Sequence, residues 1–176
     1  RQVNFGADLT LLDEADGWGF VQAAMDGYCG WLRSADLGQA SPPITHRVSA
    51  PATHVYSEPN LKRRELMGLS LGARLSVTET RDGFAHLPQG GWVPLQHISD
   101  QPARDPAAIA ETLIGTPYLW GGNSRWGIDC SGLAQAALTA CAVPCPGDSD
   151  MQEDAFPRPT DDIRRNDLLF WPGHVA

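Results

Sequence analysis

A cysteine at the predicted start of a helix is the residue of this sequence best suited to covalent chemistry. Cys130 follows Asp129 and lies between Gly127 and Gly132, and residues 130–142 have the apolar spacing of a helix. A thiol at a helix N-terminus meets unpaired backbone N–H groups and the positive end of the helix dipole, and both favour the nucleophilic thiolate. Asp129 suits the N-cap position, and the two glycines are expected to leave room for a substrate backbone. The pattern predicts a thiol nucleophile, although a lone cysteine is more often a structural residue.

A thiolate nucleophile needs a base, which is normally a histidine distant in sequence. His174 follows the apolar run Asp167–Trp171 and a Pro-Gly turn, a place from which a rigid strand can aim a side chain. The other histidines lie in the first hundred residues, where structural roles suffice. Position alone therefore favours His174 as the base. Those other histidines are His46, His54, His86 and His97.

The elements expected to position this pair form a mixed helical and extended region. Pro106 suits the first turn of a helix over residues 107–114, which Gly115-Thr116-Pro117 would end. The aromatic run Tyr118-Leu119-Trp120 follows, and residues 167–171 are predicted to be a strand. The C-terminal region is thus expected to be α+β.

The first hundred residues contain an internal repeat of a different kind. Each copy alternates apolar and polar residues, has an Asp-Gly-aromatic turn and continues with a Gly-Trp-aliphatic segment, a pattern typical of small antiparallel β units. Two copies are too few for a solenoid, so the repeat predicts two small β-barrels. The matched segments are residues 6–18 with 72–84, and residues 30–32 with 91–93, after which Leu37 falls opposite Ile98.

The composition excludes several classes of function. A formal net charge of -8 argues against nucleic-acid binding and against docking on an anionic membrane. No apolar run approaches the roughly 20 residues that span a bilayer. The four cysteines lack the paired spacing of a zinc site, so neither a metal nor another cofactor is expected. The chain starts at Arg1 rather than Met, which leaves a signal peptide open.

Five motifs in order resemble the signatures of the NlpC/P60 family of cysteine peptidases, and the two β units resemble bacterial SH3-like domains. The family likeness covers residues 103–176, and the SH3-like likeness covers residues 1–40, as a truncated first copy, and residues 45–100. A linker rich in Ser, Pro and Ala spans residues 39–51. The five motifs are Gly115–Gly122, Asp129–Leu133, Asp148–Gln152, Asp167–Trp171 and His174-Val175.

The resemblance implies a papain-like α+β fold in which Cys130 is the nucleophile and His174 the base. A third, polar catalytic residue on the following strand would lie beyond Ala176. The likeness further implies a substrate groove, with Asp129 pairing with a substrate amine as well as capping its helix. An inserted loop of the first β unit could close one end of that groove. The groove residues expected on this basis are Tyr118, Trp120, Asp129, Ser131 and, from the first β unit, Tyr28.

The function implied by the resemblance is hydrolysis of the bond between γ-D-glutamate and a diamino acid in peptidoglycan stem peptides. Two alternatives remain open: a non-catalytic wall-binding protein that uses its SH3-like domains, and another papain-like reaction such as acyl transfer or hydrolysis of the glycan–peptide amide. The compartment is unassigned, although a preference for free peptides would favour the cytoplasm over the periplasm or the exterior.

Overall fold

The computed structural model describes residues 1–39, 42–156 and 162–176. These residues form two compact units, described separately below: Val3–Gln101, and Arg1–Gln2 together with Pro102–Ala176. Residues 40 and 41 of the predicted linker, with the predicted boundary at residue 40, lie outside the description. Among the described residues, no helix has the length and apolar character needed to cross a membrane.

The unit Val3–Gln101 begins with a three-stranded antiparallel sheet in the order β1-β2-β3. Asp16 and Gly17 form the turn between the first two strands with φ angles of 51° and 78°. Two consecutive positive φ angles define the type I′ hairpin turn, which explains the Asp-Gly pair. The strands are β1 (Leu9–Ala15), β2 (Trp18–Ala23) and β3 (Cys29–Arg33).

The rest of this unit consists of a five-stranded sheet, ordered β6-β5-β10-β9-β8, and a three-stranded sheet, ordered β11-β4-β7. Apolar side chains of both sheets form its buried core, including the fully buried Val48 and Val93. Phe5 packs against this core. The strands are β4 (His46–Val48), β5 (Ala52–Tyr56), β6 (Glu65–Ser70), β7 (Arg74–Leu75), β8 (Glu79–Arg81), β9 (Phe84–His86), β10 (Trp92–Pro94) and β11 (Ile98–Ser99).

The two copies of the repeat share their local structure. Asp82 and Gly83 join β8 to β9 with φ angles of 52° and 79°, which reproduces the first turn. In each copy the strand after that turn pairs with the Gly-Trp strand, and a short 3-10 helix follows at Ser34–Asp36 or Leu95–His97. The predicted hairpins are confirmed, whereas the placement of both copies in the SH3-like class stays a prediction.

The unit that contains Pro102–Ala176 is built around α2, against which α1, α3, β12 and β15 pack. Its core includes Leu113, Ile128, Ala137, Leu138 and Val175. It mixes helices with two-stranded antiparallel pairs, so the expected α+β character is confirmed. The elements are α1 (Pro106–Thr112), β12 (Asn123–Ser124), β13 (Gly127–Ile128), α2 (Cys130–Ala140), α3 (Ser149–Ala155), β14 (Phe170–Trp171) and β15 (His174–Val175).

The predicted strand over residues 167–171 is wrong in extent, because only Phe170–Trp171 is a strand. The Asp167 carboxylate accepts a hydrogen bond from the Arg164 backbone N–H at 2.6 Å, and the Asp167 N–H donates to the Arg164 carbonyl. Asn166 has a φ of 75°. This side-chain-stabilised turn has Arg165 and Asn166 at its centre and comes immediately before the predicted strand. Leu169 still pairs with Ala176 through two backbone hydrogen bonds, so the paired backbone begins two residues later than predicted.

Candidate active site

Cys130 is the first residue of α2 and is partly buried. At this position its thiol lies beside the N–H groups that the first turn of a helix leaves unpaired. The local sequence explains the helix start, because Asp129 has extended backbone and caps the helix, and good helix formers, mainly Ala and Leu, follow from Leu133 onwards. The predicted location of the cysteine at a helix N-terminus is confirmed.

Asp129 connects this helix start to the preceding loop. One carboxylate oxygen, Oδ1, accepts hydrogen bonds from the Gly132 N–H at 2.7 Å and from the Ser131 hydroxyl at 3.2 Å. The other, Oδ2, accepts from the Gly121 N–H at 2.8 Å. The predicted N-cap is therefore confirmed, and the same side chain also fixes the loop that precedes β12.

The glycines around Cys130 serve internal packing rather than substrate access. A Cβ on Gly127 would lie 2.6 Å from the Leu119 Cβ, and one on Gly132 would collide with the Gly122 carbonyl oxygen. The hypothesis that these two glycines leave space for a substrate backbone is thus wrong, since side chains and backbone of the protein itself fill that space. The sequence could not distinguish the two roles, because both need a missing Cβ.

Tyr118 lies beside the candidate nucleophile. Its backbone bridges to Ile128 in β13, two residues before Cys130. Desolvation by the surrounding protein raises the pKa of Tyr118, followed by the negative charges of Cys130 and Asp129 and by the interaction of its hydroxyl with the Cys130 side chain. The phenol therefore stays protonated at neutral pH and can donate to a thiolate.

The other expected groove residues differ in exposure. Trp120 is 90% exposed, whereas Asp129 and Ser131 are 6% and 5% exposed and bonded to groups of the protein itself. Tyr28 is exposed in the unit Val3–Gln101, on the loop between β2 and β3. Contact of these four residues with a substrate stays a prediction.

His174 lies in β15, which pairs with β14 and packs against α2, the helix that Cys130 begins. The next residue, Val175, is 2% exposed and anchors the strand, while the His174 side chain is exposed. The Trp171 and His174 rings face each other across the hairpin with centroids 5.8 Å apart. The candidate base is therefore carried by a hairpin that is fixed on the nucleophile's helix.

Two residues around the site, Gln152 and Arg1, were not predicted from the sequence. Gln152 is fully buried, and its side-chain amide donates to the carbonyls of Ser131 at 3.0 Å and Pro146 at 2.9 Å. Arg1 donates to Ser131 and to Asp148. A buried glutamine inside the motif Asp148–Gln152 was a signal that could have been followed, whereas nothing in the sequence links Arg1 to residues some 130 positions later.

Family models match both ends of the chain. The model for the NlpC/P60 family matches residues 115–176, and the model for a bacterial dipeptidyl-peptidase SH3 domain matches residues 1–37. The crystal structure of an NlpC/P60 family protein from Bacillus cereus covers 98% of this chain with a TM-score of 0.82 at 23% identity, and the match spans 67% of that protein's chain. That likeness shows the fold.

Sequence relatives agree with these matches. The chain is 29% identical to a gamma-D-glutamyl-L-lysine dipeptidyl-peptidase of Bacillus subtilis over 97% of its own length, and it spans 63% of that relative. It is 25% identical to dipeptidyl-peptidase 6 of Lysinibacillus sphaericus, with 99% of this chain and 74% of the relative covered. The chain therefore carries an NlpC/P60 family domain at residues 115–176 and a bacterial SH3 domain at residues 1–37.

Proposed function

We propose that this chain is the catalytic part of a cysteine endopeptidase that cleaves the bond between γ-D-glutamate and a diamino acid in peptidoglycan stem peptides. The observation that carries the proposal is the position of Cys130 at the start of α2, beside Tyr118 and on the helix against which the strand of His174 packs. The substrate class comes from the names of the relatives, two of which are gamma-D-glutamyl-L-lysine dipeptidyl-peptidases. In the same proposal, the unit around α2 is papain-like and both β units are SH3-like.

In this mechanism the Cys130 thiolate attacks the carbonyl carbon of the γ-glutamyl amide. The backbone N–H of Cys130 is unpaired at the first turn of the helix, so it can donate to the oxyanion that forms. The imidazolium of His174 gives a proton to the leaving amine, and an acyl-enzyme remains on the sulfur. Water activated by the now neutral His174 then hydrolyses the thioester and regenerates the thiolate.

Tyr118 has a defined part in this proposal. Its hydroxyl interacts with the Cys130 side chain, and its raised pKa keeps the hydroxyl protonated, and so able to donate, at neutral pH. A donor to the sulfur stabilises the thiolate before attack. Trp120 is 90% exposed and is therefore available to pack on a bound peptide.

Cleavage of L-Ala-γ-D-Glu-meso-diaminopimelate by the wild-type protein, by Cys130→Ala and by Cys29→Ala tests the proposal. We expect Cys130→Ala to lose activity by a factor on the order of 10⁴ or more, as removal of a nucleophile does, while the matched Cys29→Ala control keeps it. Mass spectrometry of the products distinguishes the γ-D-Glu–diamino-acid bond from other amides. Normal turnover by Cys130→Ala, or cleavage at another bond, would contradict the proposal.

Thiol alkylation separates the peptidase from a non-catalytic wall-binding protein. Cys29 is exposed, whereas Cys130 is only partly so, and accessibility alone therefore predicts that Cys29 reacts faster with iodoacetamide. A stabilised thiolate predicts the opposite order near neutral pH. Peptide mapping of the alkylated protein measures both rates, and a slower reaction at Cys130 would favour the binding protein.

A further inference from the structure

The side chain of Arg1 is held against the start of α2. It is 8% exposed, and its Nη2 donates to the Ser131 hydroxyl oxygen at 2.9 Å and to the Asp148 carboxylate at 3.0 Å. Its Nε donates to the same Asp148 oxygen at 3.1 Å. An arginine bound through two nitrogens loses more rotational freedom than a surface ion pair and therefore defines the geometry of its partners.

Ser131 passes this constraint to the residues that flank the nucleophile. Its hydroxyl oxygen accepts from Arg1, and because Arg1 can only donate, the hydroxyl proton must point elsewhere. It points to Asp129 Oδ1 at 3.2 Å, the oxygen that also caps the helix through Gly132. The Arg1 guanidinium thus orients the hydroxyl of the residue directly after Cys130 and supports the carboxylate directly before it.

Gln2 holds the loop on the other side of Asp129. Its backbone N–H donates to the Gly121 carbonyl at 2.8 Å, and its side-chain Oε1 accepts from the Asn123 N–H at 2.9 Å and the Ser124 hydroxyl at 3.1 Å. Gly121 in turn donates its N–H to Asp129 Oδ2. Two adjacent residues therefore reach Asp129 from two directions.

We infer that Arg1 and Gln2 are positioning residues of the Cys130 site, acting through Ser131, Gly121 and Asp129. The inference rests on the proposed function only for its kinetic readout. The contacts described above reach Ser131, Asp148 and the loop at Gly121, so loss of Arg1 or Gln2 is expected to change the geometry of the thiolate and of the first turn of α2. The expected signature is a fall in kcat with little change in KM, because the misplacement affects the reacting atoms more than peptide binding.

The experiment compares Arg1→Met and Arg1→Lys with Arg165→Met as the matched control. Arg165 also bonds two carboxylates of the same unit, those of Asp105 and Glu111, but its ion pairs brace α1 rather than the start of α2. We expect Arg1→Met to lower kcat at least about 10-fold with KM within about twofold, and Arg1→Lys to recover part of the loss. The control should match the wild type. Equal kcat values for Arg1→Met and Arg165→Met would overturn the inference.

Iodoacetamide alkylation of Cys130 is the second readout and does not depend on peptidase activity. We expect Arg1→Met to slow it by about 2- to 10-fold, the effect of one lost hydrogen bond on the group that it supports. If Cys130→Ala cleaves as well as the wild type, the proposed function fails, and this rate alone still decides the role of Arg1. An unchanged rate overturns the inference.

A double mutant tests the route through Ser131. If Arg1 acts by orienting that hydroxyl, Arg1→Met combined with Ser131→Ala should lower kcat no further than Ser131→Ala alone. Additive losses would refute the route. If circular dichroism shows that Arg1→Met is unfolded at 25 °C, the variants Gln2→Met and Gln2→Glu decide instead. Gln2→Met removes the acceptor for Asn123 and Ser124 and should lower kcat. Gln2→Glu keeps an acceptor and should leave kcat unchanged.

Discussion

Replacing Asp129 by alanine removes the side chain that ties the helix of Cys130 to its preceding loop. Three donors lose their acceptor: the Gly132 N–H, the Ser131 hydroxyl and the Gly121 N–H. The residue is 6% exposed, so water does not readily replace the lost oxygens. Both the stability of this unit and the reactivity of the thiol should therefore fall.

The size of the effect follows from these contacts. Loss of an N-cap aspartate costs about 0.5–2 kcal/mol. A poorly hydrated N–H left without an acceptor, here that of Gly121, costs about 1–3 kcal/mol. Together they predict a loss of about 1.5–5 kcal/mol in the free energy of unfolding of this unit. Asp129→Asn keeps one oxygen as the acceptor for the Gly132 N–H but replaces the acceptor of the Gly121 N–H by an NH₂ group. The free energy of unfolding of this variant should therefore fall by about 1–3 kcal/mol.

Urea unfolding of the wild type and of both variants measures these differences, and iodoacetamide alkylation of Cys130 accompanies it. Asp105→Ala is the matched control, because Asp105 caps α1 through the N–H groups of Ala107 and Ala108 and is more exposed. It should lose less stability and leave the alkylation rate of Cys130 unchanged. A loss for Asp129→Ala below about 0.5 kcal/mol, the smallest effect of an N-cap, with an unchanged alkylation rate would refute this reasoning.

Two further predictions concern ionisable side chains. Tyr118→Phe removes a donor beside the Cys130 sulfur and should slow alkylation of Cys130 at pH 7 by about three- to tenfold. No difference between Tyr118→Phe and the wild type at pH 7 would contradict this role of Tyr118. The Arg165 guanidinium lowers the pKa of Asp105 below 3.8. The wild type should therefore be more stable than Arg165→Met above pH 3.8, and this difference in the free energy of unfolding should disappear as the pH falls through the lowered pKa. Urea unfolding of Arg165→Met and wild type between pH 2.5 and 7 measures this, and a constant difference would exclude the ion pair as its source.

Local signals in the sequence were sufficient for part of the fold and of the site. The Asp-Gly pairs at 16–17 and 82–83 form turns that need two positive φ angles, and Asp129 caps the helix that it precedes. Each of these features is decided within four residues along the chain, where side-chain and backbone preferences act directly. The two hairpins and the position of Cys130 could be predicted for that reason.

Features that depend on contacts between distant segments could not be predicted. Gly127 fits closely against Leu119, and the buried Gln152 donates to the Ser131 carbonyl, but neither contact can be recognised from the sequence. Residues 167–171 were predicted to be one strand because the run is largely apolar, but the Asp167 carboxylate closes a turn with the Arg164 N–H, and the paired backbone starts only at Leu169. Along the chain, the whole of the unit Val3–Gln101 lies between Arg1 and the residues that it contacts.

That separation has a consequence for synthesis on the ribosome. Arg1 and Gln2 leave the exit tunnel before their partners Gly121, Ser131 and Asp148, which are translated more than a hundred residues later. Closing so long a loop is entropically unfavourable unless the intervening residues have already collapsed. Docking of Arg1 and Gln2 is therefore expected to be a late step in folding, after the residues that carry their partners have emerged. A fragment expressed from Pro102 onwards would have to form the surroundings of Cys130 without Arg1 and Gln2.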